Sequence, residues 1–129
     1  MATLFTKIVQ GEIQCHKVAE SVKFLAFLDI MPLVKGHVLV IPKIEVDYIF
    51  DIEDELLGDM MVFAKSVAKQ LKLAYPCNRI GVSVIGLEVP HAHIHLVPMN
   101  VLNDMNFSNE KLTLSQNELA EIAKKIKCA

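Results

Sequence analysis

The chain reads as an α+β protein: a meandering antiparallel sheet of about five strands with helices packed on it. Three observations carry this. Short apolar runs bounded by turn residues recur at Lys17–Glu20, Lys23–Leu28, His37–Ile41, Arg79–Val84 and His91–Leu96. Helical periodicity is confined to a long central segment and a short C-terminal one. The links between consecutive strand segments are mostly short, which makes neighbours antiparallel.

Leu4 and Ile8 lie four residues apart and suit a short helical turn that Gly11 ends. Glu20-Ser21-Val22 is a tight connection, so the first two strands form a hairpin. Lys35-Gly36 is a turn, and His37-Val38-Leu39-Val40-Ile41 follows it. That run is apolar on both faces and belongs in the middle of the sheet. Leu56, Met60, Phe63, Ala64, Val67 and Leu71 recur at three- and four-residue steps, which predicts a long helix. Asp51 is its candidate N-cap, acidic residues favour its start, and Tyr75-Pro76 ends it. The link Ile85–Val89 is brief, so Arg79–Val84 pairs antiparallel with the histidine-bearing strand. Asn100–Asn109 is polar and reads as a surface loop. Ser115-Gln116-Asn117-Glu118 is a capping box that starts a last helix.

The 129 residues suit one domain spanning 1–129. Hydrophobic residues make up 53% and the mean hydropathy is +0.39, enough for a core. No apolar run reaches the roughly 18–20 residues of a membrane span. The start, Met1–Lys7, lacks the pattern of a secretory signal. A net charge of −2 gives no basic footprint, so neither nucleic acid nor a membrane surface is an expected partner. Cys15, Cys77 and Cys128 are odd in number and widely spaced, which suits reduced thiols in a cytoplasmic protein.

One stretch stands apart. Pro90-His91-Ala92-His93-Ile94-His95-Leu96-Val97-Pro98 holds three of the five histidines. Its period of two predicts a strand with His91, His93 and His95 on one face and Ala92, Ile94 and Leu96 in the core. A lone histidine is commonly a satisfied core residue. Three in phase contribute little to packing and point to chemistry. Metal binding is one option, but His91 and His95 would stand roughly 13 Å apart along a strand, so all three converge on one ion only with difficulty. Phosphate chemistry fits better. A neutral imidazole is a competent nucleophile at pH 7 and can form a phosphoryl- or nucleotidyl-histidine. Flanking rings can donate to the non-bridging oxygens. His93, in the middle, is best placed to attack.

These residues resemble the histidine-triad nucleotide-binding family. His91-Ala92-His93-Ile94-His95-Leu96-Val97 is similar to its His-x-His-x-His signature. Leu25–Pro32 followed by Gly36–Lys43 resembles the family's second block, and Leu4–Ile13 resembles its opening. The resemblance covers about residues 3–99. It implies a homodimer whose sheets join into one, with a purine nucleotide beside the triad. It places Phe5, Leu28 and Ile30 against the base, Asp29 on the ribose hydroxyls, and His37 next to the triad. His93 becomes the nucleophile, supported by His95 and His91. The implied reaction is hydrolysis at the α-phosphorus of a nucleoside phosphoramidate or a dinucleoside polyphosphate, with no cofactor.

Departures from the family pattern bear on that reading. Some members carry a zinc-binding Cys-x-x-Cys near the start, and a histidine after the Pro-Lys of the second block. Here Thr3, Thr6 and Glu45 stand nearby, so no structural zinc is expected. Ser83 takes the place of an asparagine that normally reaches the phosphates, and is the nucleotide-binding candidate there. Leu87 and Glu88 replace two groups that normally meet phosphate oxygens or the leaving group. A Glu88 facing the site repels a polyphosphate, holds a basic leaving group or acts as a general acid. Two other readings remain: a non-catalytic nucleotide-binding or partner-regulating dimer, and a metal-dependent hydrolase using His91 and His93.

Overall fold

The computed structural model describes residues 3–129. Five strands form one antiparallel sheet: β1 (Lys17–Glu20), β2 (Phe24–Leu28), β3 (Val38–Pro42), β4 (Arg79–Ser83) and β5 (Ile94–Met99). Their order is β1-β2-β3-β5-β4. The meander runs through β3. The chain then crosses to the sheet edge as β4 and turns back to lay β5 against β3. β3 is central and buried along its whole length, as its two apolar faces require.

Three helices cover the sheet: α1 (Leu4–Val9), α2 (Asp54–Ala74) and α3 (Gln116–Lys127). On one face, Val18, Ala26, Val38, Val40, Ile94 and Leu96 meet Met60, Val67 and Leu71 of α2 and Leu119 and Ile126 of α3. Full burial of such side chains contributes roughly 1.5–3 kcal/mol each before entropy is charged against it. The opposite face carries a smaller cluster, Phe5 and Ile8 of α1 with Leu25, Phe27, Leu39 and Ile41. The histidines belong to this thinner side. No helix among the described residues is long and apolar enough to cross a membrane.

Two boundaries differ from the sequence reading. Asp51 does not cap α2. The chain first makes a 3-10 turn, Ile49–Asp51, which buries both Ile49 and Ile52. That moves the helix start along the chain, and the Glu53 carboxylate accepts the amide of Leu56 instead. The second concerns the histidines. β5 begins only at Ile94, so His91 and His93 precede it. The physical cause is local. Pro90 has no amide to donate, the His91 amide turns back to the Val89 carbonyl, and the Ala92 amide goes to the Val46 carbonyl in the loop after β3. The alternation nonetheless persists, with Ala92, Ile94 and Leu96 in the main core.

The capping box at Ser115 is present in α3, with both reciprocal hydrogen bonds. The stretch after β5 holds a 3-10 turn, Leu102–Met105. From there the chain returns across the protein, and the Leu112 amide donates to the Pro32 carbonyl. This return path brings residues 107 and 111 to the histidines.

Candidate functional site

A cavity of about 730 Å³ opens on the α1 side of the sheet. Phe5, Phe27, Leu28, Ile30 and Leu39 form its apolar wall, and Asp29, His37, His93, His95 and Glu88 are among its polar groups. Each has a local reason to be there. Asp29 follows directly on β2, and its Oδ1 accepts the Met31 amide at 2.9 Å in an Asx turn. His37 precedes β3 and is held by Gly36, whose φ is +92°. A Cβ at Gly36 would meet Leu71, Tyr75 and Pro98 at 3.1–3.2 Å, so position 36 takes no larger residue without displacing them.

Hydrogen-bond partners assign the ring protons. The His93 Nδ1 lies 2.6 Å from the His91 carbonyl oxygen, which can only accept. Nδ1 therefore carries the proton, and in the neutral ring the Nε2 lone pair is free. The Leu33 amide donates to His37 Nδ1 at 3.0 Å, so His37 is protonated on Nε2. That Nε2 lies 2.9 Å from His95 Nδ1 and donates to it. His95 is thereby fixed as a donor through its own Nε2–H. Burial pushes His37 down to about 3 and His95 down to about 4, with neighbouring charges adding to the effect. Both rings are neutral at pH 7. The 3.7 Å approach of His37 Nε2 to Asp29 Oδ2 is accordingly no ion pair. Burial is also what raises the Asp29 carboxyl above its ordinary value.

His91 sits behind this row and does not line the cavity. It is fully buried. Its Nε2 donates to the Pro42 carbonyl at 2.9 Å, so Nδ1 is an acceptor, and the Thr3 hydroxyl lies 3.0 Å from it. Thr3 Oγ1 accepts the Thr6 amide, and the Thr6 hydroxyl donates to Glu45 Oε1 at 2.8 Å. The Thr3 amide also donates to Glu45. His91, Thr3, Thr6 and Glu45 thus form one closed cluster tying α1 to the triad. Its oxygen and imidazole donors already serve one another, and it holds no thiolate. It does not suit a structural zinc.

Asp29, His37 and His95 present ligand-type atoms within 4.8 Å of one another. The proton assignment makes this a poor metal site. His37 could offer its Nε2 lone pair only by moving its proton to Nδ1, which would then face the Leu33 amide proton. Zinc on His91 and His93 would need their other nitrogens, and these are not offered together: His91 Nδ1 faces the Thr3 hydroxyl behind the cavity, while His93 lines it.

Of the residues singled out in the sequence, Phe5, Leu28, Asp29, Ile30, His37, Glu88, His93 and His95 come together in the cavity wall. Ser83 does not. It is the cross-strand partner of His95 at the end of β4 but lies outside the lining. Sequence reasoning missed Phe107 and Lys111. The Phe107 ring packs edge-on against His95 and His37, with centroids 4.9 and 6.2 Å away. Its only advance signal is an aromatic isolated in a polar stretch.

The model of the HIT domain family matches residues 10–101. The chain belongs to the HIT family. Similar proteins include adenosine 5'-monophosphoramidase HNT1 of Saccharomyces cerevisiae, 42% identical over 98 residues, 75% of this chain and 62% of that protein. The match thus spans less than two thirds of the budding-yeast relative. Adenosine 5'-monophosphoramidase hnt1 of Schizosaccharomyces pombe is 38% identical over 99 residues, 76% of this chain and 74% of that protein. Among solved structures, a Hit-like protein involved in cell-cycle regulation from Bartonella henselae superposes with a TM-score of 0.85 at 30% identity, covering 98% of this chain and 95% of that one. A zinc-bound histidine triad family protein from Mycobacterium smegmatis, 23% identical, shares the fold with a TM-score of 0.82 over 99% of this chain and 92% of that one.

Proposed function

We propose that this protein is a nucleotide-binding hydrolase that cleaves the P–N bond of a purine nucleoside phosphoramidate through a nucleotidyl-histidine on His93. The observation that carries the reading is the His93 tautomer: Nδ1 is tied to a backbone carbonyl, leaving Nε2 as the nucleophilic nitrogen of a cavity-lining ring. The names of the two yeast relatives, both adenosine 5'-monophosphoramidases, point to the same substrate class.

In the first step the Nε2 lone pair forms a bond to the α-phosphorus. The P–N bond breaks with its electron pair on the amine, which takes a proton from solvent and leaves. In the second step water attacks phosphorus and gives up a proton to solvent, the electrons of the His93–P bond return to Nε2, and the nucleoside monophosphate departs. His95 acts as a hydrogen-bond donor to a phosphoryl oxygen and not as the acid. Were it to give up Nε2–H, only His37 could resupply it, and His37 faces an amide proton on its other side. Phe5, Leu28 and Ile30 take the base, and Asp29 uses its second carboxylate oxygen for the ribose. His91 supports His93 through its carbonyl.

The working unit is a homodimer in this reading, its sheet continued through the free edge of β4, where Val82 is exposed. Light scattering at the mass of one chain contradicts the dimer.

Turnover of adenosine 5'-phosphoramidate by exhaustively chelated protein tests the activity. Retained turnover, abolished in His93→Ala, is expected. A binding-only protein turns over nothing, and a metal-dependent one loses activity on chelation and regains it with zinc.

A further inference from the structure

The cavity has an electrostatic problem for any phosphate ligand. Its lining holds two carboxylates, Asp29 and Glu88, and neutral His37 and His95. A single lysine offsets them. Lys111 is the sole Lys or Arg among the lining residues. It comes from the return path after β5, beyond residue 101 where the family match ends.

The ammonium is held in place by backbone. It donates to the carbonyls of Phe107 and Asn109, the latter at 3.0 Å. An ammonium has three N–H donors, so one is left over. Among the described residues no carboxylate lies within ion-pair distance of it. Leu112 anchors the same segment to Pro32, and Phe107 packs on His95. Lys111 is therefore preset in the cavity wall with an N–H to spare and no direct ion-pair partner among the described residues.

We propose that Lys111 is the phosphate-binding cation of this site, supplied by the chain's own C-terminal segment. This rests on the nucleotide reading above and extends it to a residue for which the His-x-His-x-His signature makes no provision. The charge suits a phosphoryl group carrying one or two negative charges. It suits a long polyphosphate poorly, because a single ammonium faces two carboxylates.

Titration calorimetry with AMP and with adenosine separates the outcomes. In the wild type, AMP binds more tightly than adenosine. Lys111→Gln weakens AMP binding at least tenfold, as expected for loss of a charge-assisted hydrogen bond, and leaves adenosine affinity within twofold. Lys111→Arg keeps AMP affinity within about threefold, because the charge stays. Unchanged AMP affinity in Lys111→Gln overturns the assignment. So does an equal loss for AMP and adenosine, which makes Lys111 only a latch for the segment. A wild type that binds neither ligand overturns the nucleotide reading, and this assignment with it.

Discussion

His93 Nδ1 lies 2.6 Å from the carbonyl oxygen of His91, two residues back along the same chain. This contact turns a row of imidazoles into a site with direction. It forces the proton onto Nδ1 and leaves the Nε2 lone pair free in the neutral ring. It also explains why the first histidine of the triad need not touch a ligand. What His91 supplies is a backbone carbonyl held in position by its own ring, pinned between Pro42 and Thr3.

In the proposed reaction the Thr3–Thr6–Glu45 cluster positions His93. Thr6→Val removes the hydroxyl that donates to Glu45. Loss of one such hydrogen bond costs about 1 kcal/mol and lowers the melting temperature by roughly 3–5 °C. The expected kinetic effect is a several-fold fall in kcat with AMP affinity unchanged, restored in Thr6→Ser. A matched loss of kcat and AMP affinity contradicts the positioning role.

Acid sensitivity should begin near the ordinary imidazole pKa. His37 is held down to about 3 and His95 to about 4, chiefly by burial, whereas an unfolded histidine titrates near 6.5. Between those values the unfolded chain binds protons that the folded one refuses, so stability rises with pH. The contribution is complete above about pH 6.5 and is lost as pH falls towards 3. Asp29, raised by burial, runs the opposite way nearer the carboxylate range. Melting temperatures taken from pH 8 down to pH 5 should fall below about pH 6.5, and fall less in His37→Gln. A flat wild-type profile across that range contradicts the burial of neutral rings.

Much of the architecture was legible because period and punctuation agreed. The apolar run Val38–Ile41, the helical steps from Leu56 to Leu71 and the Ser115 capping box each have one local solution. The site was legible where neighbouring residues share a face, as His93 and His95 do. It was not where long-range packing decides. Pro90 and the Val46 carbonyl pull His91 and His93 out of the ladder, and the Ile49/Ile52 pair delays α2. Ser83 sits beside His95 in register yet outside the cavity, which pairing alone does not reveal. Phe107 and Lys111 could not be placed at the site because a polar stretch gives no hint of where it returns.

Glu88 should narrow the substrate range. Its carboxylate borders the cavity along with Asp29. Relative kcat/KM for adenosine phosphoramidate over a diadenosine polyphosphate should favour the phosphoramidate. Glu88→Gln should shrink that ratio roughly fivefold, the scale of one partly exposed charge interaction. A wild-type preference for the polyphosphate refutes a repulsive role.

The most direct measurement is intact-mass and peptide mass spectrometry of protein quenched in acid-free denaturant during turnover of adenosine 5'-phosphoramidate. The account predicts one adenylyl group per active chain, on the peptide containing His93, and none in His93→Ala. An adenylyl group on another residue, or full turnover by His93→Ala, contradicts it.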